Sequence, residues 1–229
     1  MSAGSAPPAA VVFDFDGVIL ESVEIKTEAF LALFADRPEH HGAIRDLHHR
    51  LGGISRGVKI ELIHRDILGL PLSPADKAAL EARFARLVVD RVLACPMVPG
   101  VEDALCALHR TGVPLFVASG TPEEELRALV RGRGLAPWFR AVYGSPRSKT
   151  VLLELIAASL GVPGSALLMI GDALTDHEAA VSVGARFLGR VPPGQSSPFP
   201  PGTRVVADLT ELAETVTTHG VVIDPPVFP

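Results

Sequence analysis

The chain has 229 residues, of which 48% are apolar and 21% charged, and its formal net charge is −5. This length suits one large domain or a core with a smaller insertion, and the apolar fraction is sufficient for a buried core. Because no basic run and no apolar stretch of membrane-spanning length is present, we expect neither a nucleic-acid nor a membrane partner.

The start of the chain and its cysteines point to a cytoplasmic protein. Residues 1–8 are rich in Ala, Ser, Gly and Pro, lack the features of a signal peptide, and are predicted to be a disordered leader. Cys95 and Cys106 have no metal-type spacing, so we expect them to be packed free thiols in a reducing compartment.

The first strand signal is the apolar run from Ala9 to Phe13, which ends in Asp14, Phe15, Asp16 and Gly17. A buried parallel strand here would place both carboxylates at the carboxyl edge of a sheet, where ligands bind in open α/β folds. Two acids so close together repel each other, which favours a hard cation such as Mg²⁺ at this position. A solvated acid pair at a strand end is the alternative.

Residues from about 20 to 94 show helix patterns and no strand signal. One apolar stripe contains Phe30, Leu33 and Phe34. Further helices are predicted over Glu39 to Leu51, Arg56 to Leu68, and Ser73 to Ala94, the last with Ser73 as its N-cap. We therefore predict a helical insertion of residues 20–95 after the first strand. The core would comprise residues 9–19 and 96–217, with residues 218–229 as a tail.

The remaining chain alternates between helix and strand, as in a doubly wound parallel α/β sheet. Helices are predicted over Val101 to Arg110, Ser148 to Leu160 and Leu174 to Val183, and in a final short segment. A further helix is predicted to begin after Thr121 as its N-cap, with Pro122 as its first residue, and to end at Gly134. Strands are predicted over Val113 to Ala118, Ala141 to Tyr143, Ala166 to Ile170, Ala185 to Leu188, and Arg204 to Val206, with a Pro/Gly/Ser loop from Val191 to Gly202.

Polar side chains follow several of these strands, and their types suit phosphoryl transfer. Asp14 is a candidate nucleophile and Asp16 a candidate proton donor and acceptor. Ser119, with the amides at the start of the next helix, is a candidate anion cradle, although Ser119-Gly120-Thr121 taken alone is better explained as a helix cap.

Two later positions complete this set at the same predicted edge. Lys149 carries a charge that would bind phosphate oxygens, and Asp172 with Asp176 offers the oxygen ligands that Mg²⁺ prefers. Taken singly, Lys149 is more often a solvated lysine, Asp172 an N-cap, and Asp176 the partner of a nearby cation. Their order along successive strand ends favours the functional interpretation.

This order of motifs resembles the haloacid dehalogenase superfamily of phosphohydrolases over nearly the whole chain. The motifs are Asp14-Phe15-Asp16-Gly17-Val18, Val117-Ala118-Ser119-Gly120-Thr121, Ser148-Lys149, and Gly171-Asp172-Ala173-Leu174-Thr175-Asp176. Glu21 stands where aspartate is usual in the family, a departure expected to matter little because that side chain lies in a hinge.

The resemblance implies a role for each motif. Asp14 would be the nucleophile and Asp16 the general acid and base, with Ser119, Gly120 and Lys149 binding the phosphoryl group. Mg²⁺ would be held by Asp14, by the backbone carbonyl of Asp16, and by Asp172, with Asp176 supporting them. The helical insertion resembles the cap of the phosphoglycolate phosphatase and β-phosphoglucomutase branch, which closes over the site.

These features favour a Mg²⁺-dependent phosphomonoester hydrolase acting on a small phosphorylated metabolite, such as a phosphosugar or a phosphoglycolate-like acid, through an aspartyl-phosphate. A phosphomutase is the alternative, because Gly52-Gly53-Ile54-Ser55-Arg56 resembles the mutase loop whose arginine grips a distal phosphate. Arg56 is thus a candidate substrate-binding residue, or merely a solvated one in the first turn of a helix. A non-catalytic binding module is least favoured.

Several polar residues of the insertion have no assigned role. The pairs His40-His41 and His48-His49 are predicted to lie on its surface, away from the carboxylates, rather than to bind a structural metal. Lys26 and Lys59 either face the cleft or lie on solvated helix stripes, and no feature selects either as a Schiff-base former.

Overall fold

The computed structural model describes residues 7–212 and contains a six-stranded, all-parallel sheet. The strands are β1 (Ala10–Phe13), β2 (Leu115–Pro122), β3 (Ala141–Ser145), β4 (Leu167–Gly171), β5 (Arg186–Arg190) and β6 (Val205–Val206), in the order β3-β2-β1-β4-β5-β6. The predicted doubly wound α/β class is confirmed. Most of the predicted leader, the end of the predicted core, most of the final short helix, and the tail lie outside the described residues.

Strand β1 occupies the middle of the sheet because its four residues are apolar and buried on both faces. It pairs in parallel with β2 and with β4. Val11 and Phe13 pack toward α5 (Val101–Arg110) and α6 (Glu123–Gly132), whereas Ala10 and Val12 pack toward α7 (Lys149–Leu160) and α8 (Leu174–Ser182). The carboxyl end of β1 therefore emerges at the centre of the sheet edge.

Between β1 and α5 the chain forms a set of helices, called here the inserted helices. They are α1 (Val23–Leu33), a 3₁₀ turn (Pro38–His40), α2 (His41–Arg50), α3 (Arg56–Leu62) continuing as a π-helical segment (Ile63–Leu68), and α4 (Pro74–Ala94). The predicted cap of α4 is confirmed, since the Ser73 side chain accepts the Asp76 amide at 3.1 Å. Helices α1 and α4 pack through Phe30 and Phe84, whose ring centroids are 4.6 Å apart.

The predicted start of α6 is wrong. Strand β2 continues through Thr121 and Pro122, with an irregularity after Ala118, and α6 begins at Glu123. Thr121 does not cap the helix because its hydroxyl donates to Asp16 and accepts from Lys26 instead. A tertiary contact has thus overridden a local capping signature.

The two cysteines agree with the expectation of free thiols. Cys95 and Cys106 are free thiols, the first buried and the second half-buried. No helix formed by residues 7–212 is both long and apolar enough to cross a membrane.

Helix α7 offers a matched test of the sheet packing. Leu153 is fully buried under the sheet, whereas Leu155, two residues later, is 37% exposed. We expect Leu153→Ala to lower the free energy of unfolding by about 2–5 kcal/mol, because it leaves a cavity. The control Leu155→Ala should cost less than about 1 kcal/mol. Urea unfolding followed by circular dichroism measures both, and equal losses would contradict the packing described.

Candidate active site

Asp14 is the first residue after β1 and is buried at the sheet edge. Its backbone amide donates to the carbonyl of Ile170 on β4 at 2.9 Å, which continues the parallel ladder by one residue. Its Oδ1 accepts the Phe15 amide at 2.7 Å, and Lys149 Nζ lies 2.7 Å from Oδ2. The carboxylate is therefore held on both oxygens.

Lys149 bridges two of the predicted site carboxylates. It is the first residue of α7, behind the Ser148 cap, and its Nζ also pairs with Asp176. Asp176 in turn accepts the Ala173 amide at 3.1 Å. Burial would lower the pKa of Lys149, but the charges of Asp14 and Asp176 outweigh it and raise the pKa. The alternative in which Lys149 is a solvated lysine is therefore wrong, and Asp176 has the cationic partner suggested for it.

Asp14, Asp172 and Asp176 form the acidic cluster, in which one carboxylate oxygen from each residue lies within 4.8 Å of the others, and no other such group of three possible metal ligands occurs among residues 7–212. Burial raises the pKa of Asp14 to about 7 and that of Asp172 well above its usual value, and mutual repulsion adds to both shifts. Among the described residues Asp172 has no ion-pair partner, and it does not cap α8, whose N-cap is Ala173. Buried oxygen donors whose ionised forms are this costly fit a hard cation, because such an ion would stabilise the carboxylates.

Gly17 makes this close packing possible. Its φ is +74°, and a Cβ built on it would lie 2.1 Å from Asp172 Oδ2. Any other residue would be strained and would displace the carboxylate. Gly17 is therefore required for the position of the Asp172 carboxylate.

Asp16 lies in different surroundings from Asp14. It accepts Ser22 Oγ at 2.6 Å and Thr121 Oγ1 at 3.1 Å, and it forms an ion pair with Lys26. Burial alone would raise the pKa of Asp16, but the charge and hydrogen bond of Lys26, with the two hydroxyls, hold it below its usual value. From the sequence, Lys26 was expected either to face the cleft or to be solvated, and Thr121 was predicted to be a helix N-cap. The spacing of Val23, Lys26 and Phe30 on one face of α1 is the signal that could have found Lys26.

Ser119 and Gly120, which were predicted to bind an anion, lie within strand β2 rather than directly before a helix N-terminus. Ser119 is buried and its Oγ accepts the Thr121 amide at 3.2 Å. Because α6 begins only at Glu123, its first amides do not follow Ser119 directly. Gly120 contacts the loop between α2 and α3 so closely that a Cβ built on it would lie 2.3 Å from the Gly53 carbonyl oxygen.

A cavity of about 570 Å³ lies between the sheet edge and the inserted helices. Asp14, Asp16 and Asp172 line one side, and residues of α1 to α4 line the other. A third wall comes from the Pro/Gly/Ser loop after β5, through Val191, Pro192, Gln195, Ser196 and Pro198. That contribution was not predicted, since the loop has no recognisable motif.

Arg56 lines the cavity at the start of α3 and is buried, so the alternative of a solvated arginine is wrong. Its guanidinium forms an ion pair with Glu125 on α6 and lies over the Phe84 ring, 4.9 Å from the centroid. A guanidinium has five N–H donors, so this pair leaves donors for a ligand.

The predicted surface position of the second histidine pair is wrong for His48. His48 is buried in the cavity wall against Phe30, at 4.9 Å between ring centroids, and its Nδ1 lies 2.9 Å from Lys59 Nζ. His49 also lines the cavity and contacts Thr27 Oγ1 at 3.1 Å. The apolar face of α1 packs against α2 and buries one histidine of the pair.

Glu21 has a larger role than expected. Its two carboxylate oxygens accept from the Arg190 guanidinium at 2.7 and 3.1 Å, and Arg190 also donates to the Gly17 carbonyl at 3.3 Å. This bidentate pair joins the end of β5 to the segment that leaves β1. The prediction that the side chain at this position matters little is therefore not supported.

The chain is similar to known proteins in sequence and in fold. Residues 8–184 match the haloacid dehalogenase-like hydrolase family. The phosphoglycolate phosphatase of Rhodospirillum rubrum is 31% identical over 192 residues, which is 77% of each protein. Protein CbbY of Cereibacter sphaeroides is 27% identical over 224 residues, covering 89% of this chain and 93% of the relative. The crystal structure of CbbY from Rhodobacter sphaeroides with phosphate superposes with a TM-score of 0.70 at 22% identity, covering 90% of this chain and 96% of that one.

The chain therefore belongs to the haloacid dehalogenase-like hydrolase family. The predicted family and the predicted enzyme class, a hydrolase of this type, are confirmed.

The Lys149 bridge provides a stability test of the site. We expect Lys149→Met to lower the free energy of unfolding by about 3–5 kcal/mol, because it leaves two buried carboxylates without their cation. The control Lys77→Met removes an exposed pair with Glu61 and should cost less than about 1 kcal/mol. Urea unfolding in EDTA measures both variants. Equal small losses would mean that the bridge does not hold the site together.

Proposed function

We propose that the protein is a phosphomonoester hydrolase in which Asp14 attacks phosphorus and Asp16 transfers protons. One observation carries the proposal. Two carboxylates two residues apart border one cavity, yet one adjoins Lys149 and the acidic cluster while the other is held by Lys26 and two hydroxyls. Different surroundings for neighbouring carboxylates are typical of sites that divide nucleophilic and acid–base roles.

In the first half-reaction, an Asp14 oxygen forms a bond to phosphorus while the bond from phosphorus to the ester oxygen breaks. The departing oxygen takes a proton from Asp16, which yields an alcohol and an aspartyl-phosphate. Lys26 and the two hydroxyls favour the Asp16 carboxylate, so this step requires Asp16 to gain a proton first. An incoming phosphate favours that change because like charges repel.

In the second half-reaction, Asp16 accepts a proton from water as the water oxygen bonds to phosphorus. The bond between Asp14 and phosphorus then breaks, releasing phosphate and regenerating the Asp14 carboxylate. Lys149 stabilises negative charge on Asp14 in both halves, and Ser119 with Gly120 is proposed to bind the phosphoryl oxygens. The surroundings of Asp16 suit this half-reaction, since its carboxylate form is the one that accepts a proton.

We propose Mg²⁺ as the cation of the acidic cluster. Asp14 and Asp172 would hold it with the backbone carbonyl of Asp16, while Asp176, occupied by Lys149, would orient them. Asp172 is a buried carboxylate with no cationic partner among the described residues, and this feature of the chain fits such an ion. When bound, the ion supplies positive charge that keeps the carboxylates ionised and neutralises charge on the phosphoryl group.

We propose that residues 20–95 act as a cap domain on a core of residues 9–19 and 96–217. In support, the inserted helices line the cavity opposite Asp14, and Lys26 from α1 reaches Asp16. Arg56 is proposed to bind a carboxylate or hydroxyl group of the substrate with the donors that Glu125 leaves available.

A small phosphorylated acid or phosphosugar suits the cavity volume, and the phosphoglycolate phosphatase described above is named for such an acid. A phosphate-release screen over 2-phosphoglycolate and sugar phosphates tests this proposal. In parallel, β-glucose 1-phosphate with its bisphosphate as primer tests the mutase alternative. Formation of glucose 6-phosphate without free phosphate would overturn the hydrolase proposal.

The two aspartates should respond differently to substitution. Asp14→Asn should abolish phosphate release, because the amide does not form the covalent intermediate. Asp16→Asn should lower kcat by about a hundredfold to ten-thousandfold, the usual range for loss of a general acid or base. Steady-state kinetics measure the loss, and thermal melting checks that each variant is folded. Substantial turnover by folded Asp14→Asn would refute the mechanism.

Metal removal should stop the reaction reversibly. We expect EDTA to silence phosphate release and added Mg²⁺ to restore it. Mg²⁺ should also raise the melting temperature of the wild type, because a ligand that binds only the folded state stabilises it. Asp172→Asn should lose that rise, whereas the control Asp90→Asn, at an exposed position of α4, should keep it. An EDTA-resistant rate would argue against the ion.

A further inference from the structure

Lys59 is a buried cation in the wall of the cavity. It lies on α3, three residues after Arg56, so the two side chains share one face of that helix. Its side chain is almost fully buried, and its Nζ lies 2.9 Å from His48 Nδ1 and 3.4 Å from the His48 backbone oxygen. The Phe30 ring covers another side, with its centroid 5.8 Å from Nζ.

The other cations around the cavity each have a carboxylate partner. Lys26 pairs with Asp16, Arg56 with Glu125, Arg190 with Glu21, and Lys149 with Asp14 and Asp176. Within the part of the chain that the structure describes, Lys59 has no carboxylate at ion-pair distance. Burial without a counter-charge lowers the pKa of Lys59 to about 7, and an anion bound beside its Nζ would restore the charged form.

His48 does not supply that charge. Burial and the charge of Lys59 lower the pKa of His48 to about 2, so the imidazole is neutral and its Nδ1 accepts from the ammonium. Lys59 has three N–H donors, of which two face His48 Nδ1 and the backbone oxygen. One donor remains for a ligand in the cavity.

We propose that Lys59, oriented by His48, forms a second anion subsite that selects phosphomonoesters carrying another anionic group, either a carboxylate or a second phosphate. This inference rests on the proposed function, because it assumes that the phosphoryl group binds at Asp14. The second group would bind in the wall formed by α1, α2 and α3. Lys59 would be a specificity-determining residue and take no part in the chemical step.

Paired substrates test the subsite. 2-Phosphoglycolate and 2-hydroxyethyl phosphate differ in their terminal carboxylate, and fructose 1,6-bisphosphate and fructose 6-phosphate differ in a second phosphate. The wild type should prefer the member with the additional anionic group in at least one pair. In that pair, Lys59→Met should lower kcat/KM for this member by about tenfold to a hundredfold. The neutral-tailed member should change by less than about threefold, since it makes no charged hydrogen bond there.

Two further variants separate binding from folding. Lys59→Arg keeps the charge and should retain part of the preference, and the exposed Lys77→Met of α4 should leave both members unchanged. Lys59→Met should be folded by circular dichroism, because it replaces an uncompensated buried charge with an apolar group of similar length. Equal loss on both members of each pair, or no loss on either, would overturn the subsite.

A binding measurement keeps this test distinct from that of the proposed function. Phosphonoacetate and 2-hydroxyethylphosphonate are not phosphate esters, and calorimetry with Mg²⁺ present measures their affinities for the wild type and Lys59→Met. If the wild type releases no phosphate from any ester, the proposed function fails. A Lys59-dependent preference for phosphonoacetate would still support a subsite, and no preference would overturn it.

Discussion

The burial of negative charge at the carboxyl end of β1 is the constraint on which the rest of the site depends. Asp14, Asp16, Asp172 and Asp176 converge there because parallel strands end at one edge. Three of these four carboxylates have a cationic partner. Lys149 lies between Asp14 and Asp176, and Lys26 compensates Asp16. Asp172 has no counter-charge among residues 7–212, which leaves one place where a cation lowers the energy of the whole cluster.

The inserted helices are part of this electrostatic arrangement. Lys26 contributes the cation of Asp16, and the Gly52 carbonyl accepts the Thr175 hydroxyl at the start of α8. Arg56 pairs with Glu125 across the same boundary. Three polar contacts therefore join the inserted helices to the segment after β1, to α8 and to α6, so the position of the helices and the charge balance of the site are set together.

Sequence predicted best what depends on neighbours along the chain. The strand before Asp14, the Ser73 cap, and the positions of Asp14 and Asp172 after buried strands follow from short patterns. The failures involve partners distant in sequence. Thr121 has a capping signature but bonds Asp16, which is 105 residues away, and the partner of Glu21 is Arg190, 169 residues away. No local pattern contains such pairings.

His48 shows the same limit at shorter range. Two adjacent histidines on a helix differ in burial only because one faces Phe30 and Lys59, and the packing of α1 against α2 decides which. Its environment is a property of the assembled helices.

The contact between Gly53 and Gly120 has a consequence for how this cavity can diversify. The carbonyl of Gly53 lies so close to Gly120 that no side chain fits between them. At this point two stretches of main chain set the separation of the loop from the sheet edge, and exchange of side chains does not adjust it. A change in preferred ligand size must therefore come from the other walls, where Phe30, Phe84 and the loop after β5 present replaceable groups. One boundary of the cavity is therefore set by a main-chain contact, and the others are set by side chains that can be exchanged.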